Sequence, residues 1–193
     1  ASISNGHSLE ALNYIGYKKL ENILVIVNDN EMSIGENVGF ISKFLKKVIS
    51  IEKPFDMFIH LGDGEGSETK ISLMLDPTCA CLMVQGNNDF FSQLPAEKEI
   101  NIKNHKALLV HGHQYGVSMD ISILKDEAIA RGCDFAMYGH THRPYLKTID
   151  GVTVLNPGSL GYPRQAGHIP TYMVMNVDDD GNFEIETKEI MGA

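Results

Sequence analysis

Apolar positions in this chain fall in short unbroken runs, and each run stops at a cluster of polar groups. Ile23 to Val27 (ILVIV) is apolar throughout and rich in β-branched residues, which predicts a strand buried on both faces, as in a parallel sheet. Residues 38–50 (VGFISKFLKKVIS) change to helical spacing, with Val38, Ile41, Phe44, Leu45 and Val48 on one face. FDMFIHLGD (55–63), CACLMVQGNND (79–89), HKALLVHGH (105–113) and FAMYGHTHRP (135–144) predict further strands, with a helix over ISILKDEAIARG (121–132). VTVLNPGS (152–159), TYMVMNV (171–177) and NFEIETKEI (182–190) predict late β structure, the last two joined by a turn at Asp178 to Asn182. Near the start, Ser8 to Tyr14 carries helical spacing, with Gly16 as its stop. Strands alternating with helices and followed by β segments predict an α/β sandwich in a single domain over residues 1–193.

The strand ends carry the chemistry. Asp63 ends one run, Asn87 and Asp89 the next, His111 and His113 the next, and His140 and His142 the last. Ligands of open α/β sheets bind at the carboxyl ends of strands, so these distant residues are expected to converge. One Gly-Asp turn or one His-Gly-His taken singly is an ordinary surface or core feature. Four such endings on successive strands point to a metal site. Imidazole, carboxylate and amide oxygens suit divalent ions such as Mn²⁺, Zn²⁺ or Fe²⁺, and no strand ends in a thiolate.

Composition narrows the function classes. The net charge of −9 argues against tight binding of nucleic acid, which needs a basic face. No apolar run approaches the roughly 20 residues of a membrane span, and no signal-peptide pattern opens the chain. Three scattered cysteines, Cys79, Cys81 and Cys133, do not make a disulfide framework, so the cytoplasm is the expected location. The chain opens on Ala1, which fits a processed chain or a fragment.

The order GD, GNND, HGH, GHTHRP and NPGS with a following PR resembles the calcineurin-like metallophosphoesterases, most of all the YfcE-type bacterial phosphodiesterases. The resemblance covers about residues 54–193 and implies a four-layer αββα sandwich. It also implies hydrolysis of a small-molecule phosphodiester by metal-activated water, with no phosphoenzyme. Mn²⁺ is the first expectation, with Zn²⁺, Fe²⁺, Ni²⁺ and Mg²⁺ as alternatives. Carried over by position, Asp63 resembles the carboxylate bridging two metals. Asn87, His111 and His140 complete one shell, and His142 binds the other ion. Asp89 is an outer or proton-handling group of the catalytic set, and His113 supports the site or faces substrate. Arg143, Asn156, Ser159 and Arg164 line the cleft; for Arg164 a plain salt bridge is the other reading. Self-association is left open.

The opening motif departs from that family, which places D-x-H after its first strand. Here Ile23 to Val27 is followed by Asn28 and Asn30, two amides where two stronger ligands are expected, while Asp29 points to the opposite face. Residues 1–48 resemble 1-deoxy-D-xylulose-5-phosphate synthase, a thiamine-diphosphate enzyme, through SLEALN at 8–13 and NDNEMSI at 28–34. In that family the asparagine of this segment helps hold Mg²⁺ on the diphosphate, together with an upstream Gly-Asp motif that this sequence lacks. The sequence therefore reads as a join near residues 48–54, with the synthase-like piece supplying the first strand and helix. The alternatives are a non-catalytic metal-binding scaffold of the same fold, and a fragment or fusion that carries the synthase label.

Overall fold

A computed structural model of the chain describes residues 22–28, 38–52 (side chains from 43 onward) and 54–191. The helix expected at 8–14, its stop at Gly16, and Asp29 and Asn30 lie outside those residues.

The elements run β1 (Ile23–Val27), α1 (Val38–Glu52), β2 (Met57–His60), α2 (Glu68–Met74), β3 (Ala80–Met83), β4 (Glu97–Ile102) and β5 (His105–Val110). A short 3-10 turn at His113–Tyr115 leads to α3 (Ser122–Ala130), β6 (Phe135–Tyr138), β7 (Pro144–Ile149), β8 (Val152–Pro157), β9 (Thr171–Val177) and β10 (Phe183–Glu189). They form two sheets of five strands, ordered β10-β9-β1-β2-β3 and β4-β5-β6-β8-β7. The strand at Ile23–Val27 sits inside the first sheet, parallel to β2 and antiparallel to β9.

Alternation along each strand divides the core into three apolar layers. Leu24 and Ile26 join Ile59, Leu109, Phe135, Met137, Met173 and Met175 between the sheets. Val25 and Val27 turn the other way, onto Phe44, Leu45, Val48 and Ile49 of α1. On the far sheet Leu108, Val110, Ala136 and Val154 face Leu124 and Ala128 of α3. Strands covered on both faces read as unbroken apolar runs, which is the pattern seen at ILVIV, ALLV and FAMY. The architecture is an α/β sandwich, helix–sheet–sheet–helix. Each fully buried side chain of α1 contributes about 1.5–3 kcal/mol relative to exposure, which fixes the helix on the sheet.

The parallel strands β1, β2, β3 and β5, β6, β8 bring their carboxyl ends to one end of the sandwich. Backbone bonds tie that end together: Leu61 N–H donates to Val27 O (3.0 Å), Leu160 N–H to Asn28 O (3.0 Å), and Gly139 N–H to His111 O (3.0 Å). No helix among the described residues is long and apolar enough to cross a membrane.

Candidate metal centre

Three of the candidate ligands sit in the left-handed backbone region: Asp63 at φ 58°, His140 at 62° and His142 at 58°. Such a conformation is unusual for residues other than glycine and persists only where the surroundings hold it. At Asp63 the holding is visible. Asp89, which is buried, accepts hydrogen bonds from the backbone N–H groups of Asp63 (2.8 Å), Glu65 (2.7 Å) and Gly86 (2.7 Å). Both of its oxygens are thus committed to the Asp63 loop, so Asp89 acts from behind the site as an anchor. Gly86 is required for the close approach, because a Cβ there would lie 2.1 Å from Asp63 Oδ1. Gly86→Ala is expected to push Asp63 aside and lower metal affinity more than tenfold, measured by titration with Mn²⁺.

A chain of side-chain amides sets the polarity of the first cluster. Asn88 donates to Asp63 twice, from its backbone N–H to Oδ1 (2.8 Å) and from Nδ2 to Oδ2 (3.0 Å). Asn87 Nδ2 donates in turn to Asn88 Oδ1 (3.1 Å), so Asn87 Oδ1 points the other way. That oxygen lies 3.0 Å from both His111 Nε2 and His140 Nδ1. His111 Nδ1–H donates to the Leu61 carbonyl (2.6 Å), which in a neutral ring leaves Nε2 a bare lone pair. The same Nε2 is 3.3 Å from Asp63 Oδ2. Two buried acceptors, His111 Nε2 and Asp63 Oδ2, therefore face each other beside the oxygen of the exposed Asn87, and only a second proton on His111 or a cation resolves the contact. The donor set fits a divalent ion.

The second cluster is less complete. His142 is 1% exposed, and its Nδ1–H donates to the Tyr162 carbonyl (2.9 Å). Asn28 is fully buried at the end of β1, where its Nδ2 donates to Gly158 O (3.2 Å). Its Oδ1 has no hydrogen-bond partner among the described residues and abuts the backbone of Gly139, just before His140. An orphaned buried amide oxygen next to a candidate ligand also fits a cation, although as a neutral donor. As placed, no three His, Cys, Asp or Glu side chains among the described residues enclose a metal position by themselves. The amide oxygens are part of any shell.

The chain matches the family described as the calcineurin-like phosphoesterase superfamily domain over residues 41–180. It belongs to that superfamily. A probable metallophosphoesterase from Mycoplasma pneumoniae is 30% identical over 147 residues, 75% of this chain and 87% of that protein. Among solved structures, a predicted phosphoesterase from Streptococcus pneumoniae aligns with TM-score 0.70 at 22% identity, over 86% of this chain and 88% of that one. Wild-type Vps29 complexed with Zn²⁺ from Entamoeba histolytica aligns with TM-score 0.64 at 21% identity, over 86% and 98% of the two chains. The start of the chain has a separate kinship. Residues 1–60 match the 1-deoxy-D-xylulose-5-phosphate synthase family, and the synthase of Fusobacterium nucleatum is 94% identical over 53 residues. Those residues are 28% of this chain and 9% of that synthase.

In this member of the superfamily the remaining candidates surround the clusters. His113 begins the 3-10 turn, its ring 5.5 Å from His111 and 6.1 Å from His140. Burial and the neighbouring imidazoles lower its pKa and that of His140. Asn156 ties the His140 loop down, donating to Gly139 O and Thr141 Oγ1 (3.0 Å). Ser159 accepts from Tyr162 N–H (2.9 Å). Arg164 is held by its backbone N–H, which donates to His142 O (3.0 Å), and its guanidinium lies 5.6 Å above the Tyr162 ring. It makes no salt bridge with a described residue, so that bland reading of Arg164 finds no support among them. Burial and then the charge of Arg164 push His142 down to about 4.

Sequence reasoning missed four contributors. Asn88 orients both Asp63 and Asn87, the Leu61 carbonyl fixes the His111 tautomer, and Tyr162 does the same for His142. The fourth is His60, fully buried at the end of β2 with Nε2 unpartnered among the described residues. Burial pushes His60 down to about 4 from its usual 6.5, against the pull of Asp89. Between those two values the unfolded chain binds more protons than the folded one. Stability is therefore full above about pH 6.5 and falls as pH drops toward 4, by roughly 3 kcal/mol for this group. Denaturant titrations of wild type and His60→Gln check it, the variant showing the shallower pH dependence.

Proposed function

We propose that this chain is a divalent-metal-dependent phosphodiesterase. The observation that carries the reading is the buried lone pair of His111 Nε2, set against Asn87 Oδ1 at 3.0 Å and Asp63 Oδ2 at 3.3 Å. Asp63, Asn87, His111 and His140 would hold one ion. Asp63 and His142, with the amides of Asn28 and Asn30, would hold the other. When bound, such ions neutralise charge on the phosphoryl oxygens and make a coordinated water acidic near neutral pH. The chain's own groups do the rest. Asn88 aims Asp63, Asp89 anchors its loop, and His113 faces the cluster from the rim. Arg143 and Arg164 would offer permanently charged guanidinium groups to the phosphate oxygens.

The nitrogen and oxygen donor set without thiolate favours Mn²⁺, and the zinc-complexed Vps29 neighbour keeps Zn²⁺ in contention, with Fe²⁺, Ni²⁺ and Mg²⁺ behind. We read the chain as one domain in which residues 1–48, of synthase kinship, supply the first strand and helix. The pairing of β1 with both β2 and β9 supports this. The partner is a small-molecule diester rather than nucleic acid or membrane, and three unpaired thiols agree with a reducing cytoplasm.

The test pairs an elemental metal count with hydrolysis of bis-p-nitrophenyl phosphate across these ions. One tightly held ion per chain and low, Mn²⁺-stimulated turnover are expected, and two tightly held ions would refute the unequal sites. The amide at Asn28, where the family expects aspartate, favours a second reading as a non-catalytic metal-binding scaffold. Tight metal with no hydrolysis under any ion would decide for it.

A further inference from the structure

Beside His142 lies a groove of about 640 Å³ lined by Phe44, Leu160, Tyr162, Pro163 and Pro170 together with Arg143 and Arg164. The volume lies in the range of small-molecule sites. We propose that this groove takes a planar aromatic substituent of the phosphodiester, a nucleobase being the chemical type, and that Tyr162 determines specificity for it. The inference rests on the phosphodiesterase reading and names the substrate class of that site.

Tyr162 is placed for the task by its backbone. Its N–H donates to Ser159 Oγ (2.9 Å) and its carbonyl accepts from His142 Nδ1 (2.9 Å), yet the residue is 61% exposed. The ring stands on that held backbone with its centroid 5.9 Å from that of His142, one ring away from a candidate ligand. A large aromatic left open on a backbone so tightly held is suited to stacking, which tolerates any base because every base has a π face. Arg164 already lies over one part of the ring, and guanidinium planes stack on the same kind of ligand.

Charge points the same way. In a chain of net charge −9, neither Arg143 nor Arg164 has a carboxylate partner among the described residues, whereas Arg131 is paired with Glu97, Glu99 and Glu127. A second groove, also of about 640 Å³, shares both arginines and is lined by Ser118, Met119, Asp120, Thr141 and Tyr145. Two grooves that meet at one pair of cations suit a phosphate carrying two substituents. The groove with Phe44, Leu160 and two prolines takes the aromatic arm, and the one with Ser118, Asp120 and Thr141 takes a hydroxylated arm.

Calorimetric titration with uridine 5′-monophosphate, ribose 5-phosphate and inorganic phosphate, with and without Mn²⁺, tests this without turnover. The nucleotide is expected to bind about tenfold tighter than ribose 5-phosphate. Tyr162→Ala is expected to remove most of that difference, and Tyr162→Phe to keep it. Equal affinity for the two sugar phosphates, no binding of the nucleotide, or an undiminished preference in Tyr162→Ala would overturn the proposal. Failure of the phosphodiesterase reading shows separately, as absence of diester hydrolysis with every ion while the titration still decides the groove.

Discussion

Asn28→Asp is expected to add a second tightly held metal ion and to raise Mn²⁺-dependent hydrolysis of bis-p-nitrophenyl phosphate at least tenfold, about 1.4 kcal/mol in the barrier. Asn28 is fully buried and its Oδ1 has no partner among the described residues, so the position already offers one oxygen to a cation. A carboxylate there adds the charge that a neutral amide lacks. The same change harms the metal-free chain. Asn28 Nδ2 donates to Gly158 O (3.2 Å), and an aspartate would set an unpaired buried charge against that carbonyl. Leaving such a charge without a partner costs about 3–5 kcal/mol. The variant should therefore melt below wild type in chelator and recover with Mn²⁺, a pairing of signs that a merely structural asparagine does not produce. Adding Asn30→His should raise turnover further. If Asn28→Asp gains neither metal nor activity, β1 fills space in the sheet without joining the centre.

Much of this site was legible because its residues sit at strand ends, and strands covered on both faces announce themselves as apolar runs. Ile23–Val27, Phe135–Tyr138 and the run at Ala107–Val110 are of that kind, and the groups behind them converge as the topology requires. The elements that escaped are those with little apolar signal. β4 reads Glu-Lys-Glu-Ile-Asn-Ile, with only Ile100 and Ile102 buried, and it is defined by pairing with β5 across the turn at Lys103, where φ is 55°. β7 is an edge strand with no buried position, marked only by the Asp150-Gly151 turn that joins it to β8. Within the centre, the motif GNND does not say which asparagine faces the histidines. Turn geometry decides that, giving Asn87 to His111 and His140 and leaving Asn88 to orient Asp63. It likewise turns Asp89 inward onto three amides. Spacing alone shows neither outcome, because residues 86–89 form a turn beyond the end of β3, where the alternation that strand reasoning relies on no longer holds.

Asp63→Asn is the substitution expected to cost most in function and least in stability. Asp63 belongs to both proposed shells, and removing its charge should weaken Mn²⁺ binding by more than about 100-fold and abolish measurable hydrolysis. In the metal-free chain the balance differs. Burial raises the Asp63 carboxyl pKa, and His111 with a second proton on Nε2, together with the hydrogen bonds from Asn88, outweighs it and holds the group below the usual carboxylate range; in the neutral ring the two acceptors conflict. An asparagine keeps an oxygen for Asn88 N–H and turns an N–H toward His111 Nε2, the lone pair that now faces Asp63 Oδ2 at 3.3 Å. One acceptor conflict becomes a hydrogen bond, while the bond from Asn88 Nδ2 is lost. These changes offset, so the unfolding free energy in chelator should stay within about 1 kcal/mol of wild type. Denaturant melts with and without Mn²⁺ separate the two effects. Wild type should gain stability with the ion and Asp63→Asn should not, because a ligand stabilises a fold only in proportion to its binding. A variant that melts far below wild type in chelator would mean that Asp63 is held in the left-handed region for the fold itself.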